Sequence, residues 1–150
     1  AINSPKDCIV YTLDLPDLAV SELSVRTNAA DRGIIAQRET GRDYVGKPEA
    51  EKIVQLLGNS VEFDYQPYLG TIDIVFVDGA HDYDVVKSDT KNALSLLKPG
   101  GCIIWHDFAN YGDYNDVVRA VLDLIPAERI IQISNTQLAI YQQKDPAKCA

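Results

Sequence analysis

Two short clusters hold the residues with chemical potential: Asp78 and His81 in VDGAHDY, and His106 and Asp107 in WHDF. The chain has only two histidines, and both stand close to strand-end aspartates. Imidazole exchanges protons near neutral pH, unlike any other unperturbed side chain. Two carboxylates and an imidazole, Asp78, His106 and Asp107, form a donor set for Mg²⁺ or another oxygen-preferring divalent cation. The plainer alternative is that these residues cap helices and satisfy strand ends.

Each cluster ends an apolar run. Ile72, Ile74, Val75, Phe76 and Val77 lead into Asp78, and Cys102-Ile103-Ile104-Trp105 leads into His106. Nearly continuous apolar runs of this length fit strands of a parallel sheet covered by helices. A helix-length segment closed by Lys98-Pro99-Gly100-Gly101 lies between them. Parallel neighbours joined by a helix carry their C-terminal ends on one edge, where open α/β sheets bind ligands. The four residues are therefore expected to converge. Within the helix, Asp82 is placed to cap, with Val86, Ala93, Leu94 and Leu97 facing the sheet and Lys87, Asp89 and Lys91 outside.

The rest of the chain reads as alternating elements. Cys8–Leu13 is a strand ending at Asp14, and Leu18–Ala30 is a loosely patterned helix. The glycine-punctuated stretch from Asp31 to Gly46 reads as a loop. Pro48 to Leu57 has apolar residues at 50, 53, 54 and 57 and is predicted helical, stopped by Gly58-Asn59. Ser60–Asp64 is a short strand. After Asp107, a polar loop leads to a helix from Val117 to Ile125. Arg129–Ser134 and Gln137–Tyr141, joined by Asn135-Thr136, form an antiparallel hairpin, because so short a turn cannot join parallel strands. Tyr83, Trp105, Phe108 and Tyr111 either wall a pocket or belong to the core.

At 150 residues the chain reads as a single domain large enough for its own core. A net charge of −8 argues against a nucleic-acid footprint, which needs clustered Lys and Arg. Arg26, Arg32, Arg38, Arg42 and Lys47 give one segment a basic lean, read as a solvated surface or a contact to an anionic substrate group. No run approaches the roughly 20 apolar residues of a membrane span. Cys8, Cys102 and Cys149 are widely spaced and read as reduced thiols, which with the lack of a signal peptide predicts a cytoplasmic protein. No methionine occurs, even at position 1, so the expectation is a fragment of a longer chain.

VYTLDLPD, GNSVEFD, DIVFVDGAHDYDVVKSD, LLKPGGCIIWHDF and the closing hairpin together resemble a class I S-adenosylmethionine-dependent methyltransferase. The resemblance is closest to the small-molecule branch that modifies sugar and macrolide hydroxyls. It implies an α/β Rossmann-like sandwich over residues 1–150, with a mostly parallel sheet and a C-terminal antiparallel hairpin. S-adenosylmethionine is the implied cofactor, with contacts at Asp14, Phe63, Asp64 and Asp78. Asp14 matches the acid that takes the ribose hydroxyls, and Phe63 and Asp64 match the adenine contacts. His81 matches a general base, with metal ligands at Asp78, His106 and Asp107. The implied partner is a small hydroxylated acceptor.

The family's first strand and its glycine-rich loop have no counterpart before Val10, and in the family sheet order, 3-2-1-4-5-7-6, that strand is central. The sheet must then close by direct pairing of the flanking strands, by a strand from a partner or a second copy, or by residues outside this sequence. A second reading follows: a catalytically inactive methyltransferase-like unit that serves interaction or assembly. A nicotinamide-binding Rossmann domain is disfavoured, since GxGxxG is absent.

Overall fold

The computed structural model describes residues 1–16, 32, 33, 35, 40–109 and 115–145. The expected helix at Leu18–Ala30, part of the loop from Asp31, Arg26, Arg38, Tyr111 and Cys149 lie outside them. The strands are β1 (Val10–Asp14), β2 (Ile53–Leu57), β3 (Ile72–Val77), β4 (Leu97–Trp105), β5 (Ile130–Gln132) and β6 (Ala139–Gln142). Among the described residues, the α-helices with defined bounds are α1 (Tyr83–Leu96) and α2 (Asn115–Leu122).

The strands form two sheets, a parallel pair β1-β2 and a four-stranded sheet in the order β3-β4-β6-β5. β3 and β4 run parallel, while β6 is antiparallel to both β4 and β5. The expected hairpin is thus present, with Asn135 at φ 61° in its turn. Among the described residues, β1 does not pair with β3, so direct closure of one sheet is not the solution adopted.

The predicted helix over Pro48–Leu57 is wrong. Pro48–Lys52 is a single 3₁₀ turn, and Ile53–Leu57 is β2. Spacings of three and four residues also occur in a short strand with apolar residues on both faces. Here the lateral partner decided, since β2 pairs with β1 from Val10↔Ile53 to Asp14↔Leu57. Gln55 then fits the strand's own needs, donating to the Thr12 carbonyl at 3.2 Å while its Oε1 accepts the Thr12 hydroxyl at 3.0 Å. Ser60–Asp64 is turn and coil rather than strand. Asn59 and Asp64 side chains accept from Val61 N–H and Gln66 N–H, making local turns that compete with extension.

α1 forms as predicted. Asp82 caps it by accepting from Asp84 N–H at 3.0 Å. β4 starts earlier than expected, because Leu97–Gly101 joins the strand through a bulge opposite Ile72–Ile74. Gly101 is demanded there: a Cβ would stand 3.0 Å from the carbonyl oxygens of Asp73 and Lys98.

The core lies on one face of the four-stranded sheet. Ile103, Trp105, Ala139 and Tyr141 meet Val86 and Ala93 of α1 and Val117, Val118, Ala120 and Val121 of α2. Trp105 is fully buried and donates its indole N–H to Thr90, also fully buried, at 3.1 Å. The opposite face carries a cross-strand row, Phe76–Ile104–Ile140–Ile131, in register across all four strands. Phe76 is 53% and Ile131 68% exposed there, and Ile74 on the same face is 61% exposed.

Candidate active site

The β3–β4 register sets Val77 beside Trp105, so the residues that follow each strand arrive together. His106 N–H donates to the Val77 carbonyl at 3.0 Å, extending the ladder one step beyond the strand. Asp107 then turns into the left-handed region at φ 56°. Asp is one of the few side chains that tolerates this conformation. Its carboxylate, 13% exposed, sits between the two imidazoles: Oδ2 is 2.8 Å from His81 Nε2 and 2.9 Å from His106 Nδ1. Asp78 Oδ1 reaches His106 Nδ1 at 3.5 Å. The expected convergence of Asp78, His81, His106 and Asp107 is therefore present. With Gly79, Ala80 and Trp105 they line a narrow depression at the strand ends.

Electrostatics follow the geometry. Burial pushes the Asp107 carboxyl up, but the contacts from His106 and His81 outweigh it and hold it below the usual carboxylate range. His106 is pushed up chiefly by the short contact with Asp107, against a smaller effect of burial. That contact is close enough for charge attraction, while His106 Nδ1 is a buried polar atom without a hydrogen-bond partner. A ring nitrogen held this way against two carboxylates suits a shared cation, whether a proton or a metal ion. Asp78, His106 and Asp107 each offer one ligand atom, all within 4.8 Å of one another, as no other set among the described residues does. The donor chemistry, two oxygens and one nitrogen, fits a divalent ion that keeps several waters.

Of the residues expected to hold the cofactor, Asp14 ends β1, Phe63 and Asp64 lie in the coil after β2, and Asp78 follows β3 in the other sheet. Asp14 is the last residue of β1, and its carboxylate accepts from the Gln55 side chain at 3.4 Å. Phe63 packs against Gly58, where a Cβ would come within 2.9 Å of its ring. The same ring meets Tyr65 edge-on and stacks with Tyr68. Asp64 is exposed and caps the next turn through Gln66 N–H. A carboxylate at one strand end and an aromatic after the next are compatible with a nucleoside. Of the proposed pocket walls, Trp105 and Phe108 are core, and Tyr83 packs partly buried against it.

A methyltransferase domain family model matches residues 11–108. The chain belongs to that methyltransferase domain family. Membership implies S-adenosylmethionine as the methyl donor. Among solved structures, the methyltransferase domain is similar to the O-methyltransferase NovP, at 19% identity and a TM-score of 0.53, covering 93% of this chain and 61% of NovP. It is also similar to a protein from Corynebacterium glutamicum, at 16% identity and a TM-score of 0.50, covering 69% of this chain and 52% of that one. The methyltransferase domain thus spans less than two thirds of each solved chain. No curated protein matches it. The likeness supports the Rossmann-like α/β fold expected from sequence, and no helix among the described residues is long and apolar enough to cross a membrane.

One residue was misplaced by the sequence reading. Asp89 was expected on the outer face of α1, but its Oδ1 is buried and has no hydrogen-bond partner. Spacing held the clue: Val85, Asp89, Ala93 and Leu96 form one stripe at steps of four, four and three, and the other three are buried.

Proposed function

We propose that this domain serves S-adenosylmethionine-dependent methyl transfer to a hydroxyl of a small acceptor, with divalent-metal assistance. The observation that carries the reading is the 2.8 Å contact between His81 Nε2 and Asp107 Oδ2 beside the three-residue donor set. When bound, S-adenosylmethionine supplies a methyl on a sulfonium that is its own leaving group, and a divalent ion supplies Lewis-acid polarisation of the acceptor oxygen. The protein's task is then to position and to move one proton. Asp107 holds His81 through Nε2 and orients the imidazole that would take the acceptor proton. The carboxylate also stabilises the imidazolium that forms, as an orienting acid does in other histidine bases. Asp78, His106 and Asp107 would hold the ion. Asp14 would accept the ribose hydroxyls, while Phe63 and Asp64 would border the adenine.

A second reading, an inactive unit for interaction or assembly, draws on the separate β1-β2 and β3-β4-β6-β5 sheets and the exposed apolar row. Such edges and faces are surfaces that proteins pair or cover. Calorimetric titration with S-adenosylhomocysteine, with and without Mg²⁺, separates the two. Heat of binding supports the enzyme reading; no heat in either condition sinks it for this chain.

A further inference from the structure

Thr12 and Gln55 are cross-strand partners in the parallel β1-β2 pair, and Asp14 follows Thr12 by two positions. Side chains alternate between faces along a strand, so Thr12, Asp14 and Gln55 stand on one face. Gln55 is half-buried there. Its Oε1 accepts from the Thr12 hydroxyl at 3.0 Å and from the Tyr44 hydroxyl. Its Nε2 donates to the Leu56 carbonyl at 2.8 Å, the Thr12 carbonyl at 3.2 Å and Asp14 Oδ2 at 3.4 Å.

These partners decide which way the amide points. The three oxygens around Nε2 belong to two carbonyls and a carboxylate, groups that only accept, so a turned-over amide would set its own oxygen against them. Both partners of Oε1 are hydroxyls, which can donate. An N–H is therefore aimed at the carboxylate that ends β1. Tyr44 steadies the amide from a separate segment, a turn in which Tyr44 N–H and Val45 N–H both donate to the Gly41 carbonyl. The Asp14 backbone is held as well, since its carbonyl accepts from Gly58 N–H at 2.8 Å.

We infer that Gln55 is a positioning residue: its amide N–H holds the Asp14 carboxylate in the orientation that takes the ribose hydroxyls. This rests on the proposed binding of S-adenosylmethionine, with Asp14 on the ribose. A carboxylate already held loses less freedom when a ligand arrives. The residue type suits the task. Lys or Arg at this position would pair with the carboxylate and compete for it, whereas an amide donates without adding charge.

The test uses the whole chain and the variants Gln55→Leu, Gln55→Glu and Asp14→Ala. In the free protein, Asp14→Ala should move the Gln55 side-chain amide signals in heteronuclear NMR. Signals that stay in place overturn the inference whether or not the cofactor binds. In calorimetry, S-adenosylhomocysteine is compared with its analogue lacking both ribose hydroxyls. Wild type should prefer the parent ligand. Gln55→Leu should cut that preference about fivefold, with affinity for the analogue kept within about twofold. A merely structural role would weaken both ligands alike, because a smaller folded fraction scales both affinities equally. Gln55→Glu keeps an acceptor for the two hydroxyls but sets a second carboxylate against Asp14, so it should lose at least as much preference. Asp14→Ala combined with Gln55→Leu should lose no more preference than Asp14→Ala alone. Equal weakening of both ligands, or an unchanged preference in Gln55→Leu, overturns the positioning role alone. Wild type that binds neither ligand fails the proposed function and the inference with it.

Discussion

His81 Nε2 and Asp107 Oδ2 stand 2.8 Å apart although 26 positions separate them in the chain. Both side chains are largely buried, 17% and 13% exposed. The contact fixes the orientation of the His81 imidazole at the strand ends. Replacing His81 with Ala is expected to lower methyl-transfer turnover by about 10²–10⁴-fold, with little change in S-adenosylhomocysteine affinity. Equal losses in rate and affinity, measured by steady-state kinetics and calorimetry, would argue against a proton-transfer role.

Asp107 also answers for a backbone conformation. At φ 56°, an Ala side chain is strained by about 1–2 kcal/mol, whereas Gly is not. Asp107→Gly should therefore unfold at higher urea than Asp107→Ala, although both lose the carboxylate. Both variants, and Asp107→Asn, should lose Mn²⁺ binding. An Asn variant that keeps wild-type Mn²⁺ affinity would remove Asp107 from the ligand set.

Trp105 is the sole tryptophan and sits beneath the site, bonded to Thr90. Thr90→Val keeps the shape and removes the acceptor, leaving a buried indole N–H unpaired. The expected loss is about 1–3 kcal/mol in urea unfolding followed by tryptophan fluorescence. No change would mean that the indole finds another acceptor.

Burial pushes the Asp89 carboxyl up, a hydrogen bond from Ser60 only partly opposing it. A folded pKa above the unfolded value favours folding fully below the unfolded pKa of about 3.9, and that benefit is lost as pH rises through the folded value. Relative to Asp89→Asn, the wild type should thus lose stability between pH 4 and pH 7. Urea midpoints at the two pH values check this, and a difference that grows in favour of the wild type would contradict it. Tyr65 is pushed up to about 12, first by burial and then by the charge of Asp89. Its phenol should stay protonated past pH 11 in ultraviolet titration against Tyr65→Phe, unless the structure opens first.

Phe76 and Ile131 lie at the two ends of the exposed apolar row. Changing both to Thr should cut binding of a hydrophobic dye and any concentration-dependent association seen by ultracentrifugation. Unchanged dye binding would show that this row is not the accessible apolar surface.

The β3–α1–β4 half was legible because each of its signals is local. The Ile72–Val77 run, the Asp82 cap and the Cys102–Trp105 run all act within a few residues of themselves. Once two parallel strands are fixed, the meeting of His81 with Asp107 follows from register. Ile53–Leu57 was not legible, because its strand state depends on Thr12 and the rest of β1, some 40 residues away. Ser60–Asp64 was misread for the converse reason. It is apolar enough to be a strand, yet among the described residues no strand pairs with it, and its Asn59 and Asp64 side chains satisfy the backbone locally. Asp89 was misread because a charge on a helix is normally solvated. Only its stripe-mates showed which way it points.

The division into two sheets has a thermodynamic consequence. Among the described residues, side-chain contacts such as Tyr11–Tyr68 and Asn92–Ser60 couple them rather than a continuous ladder, so heat need not disrupt them at one temperature. In scanning calorimetry the van't Hoff enthalpy should fall short of the calorimetric enthalpy, with β1-β2 melting first. A ligand lying across both segments would weld the two transitions into one.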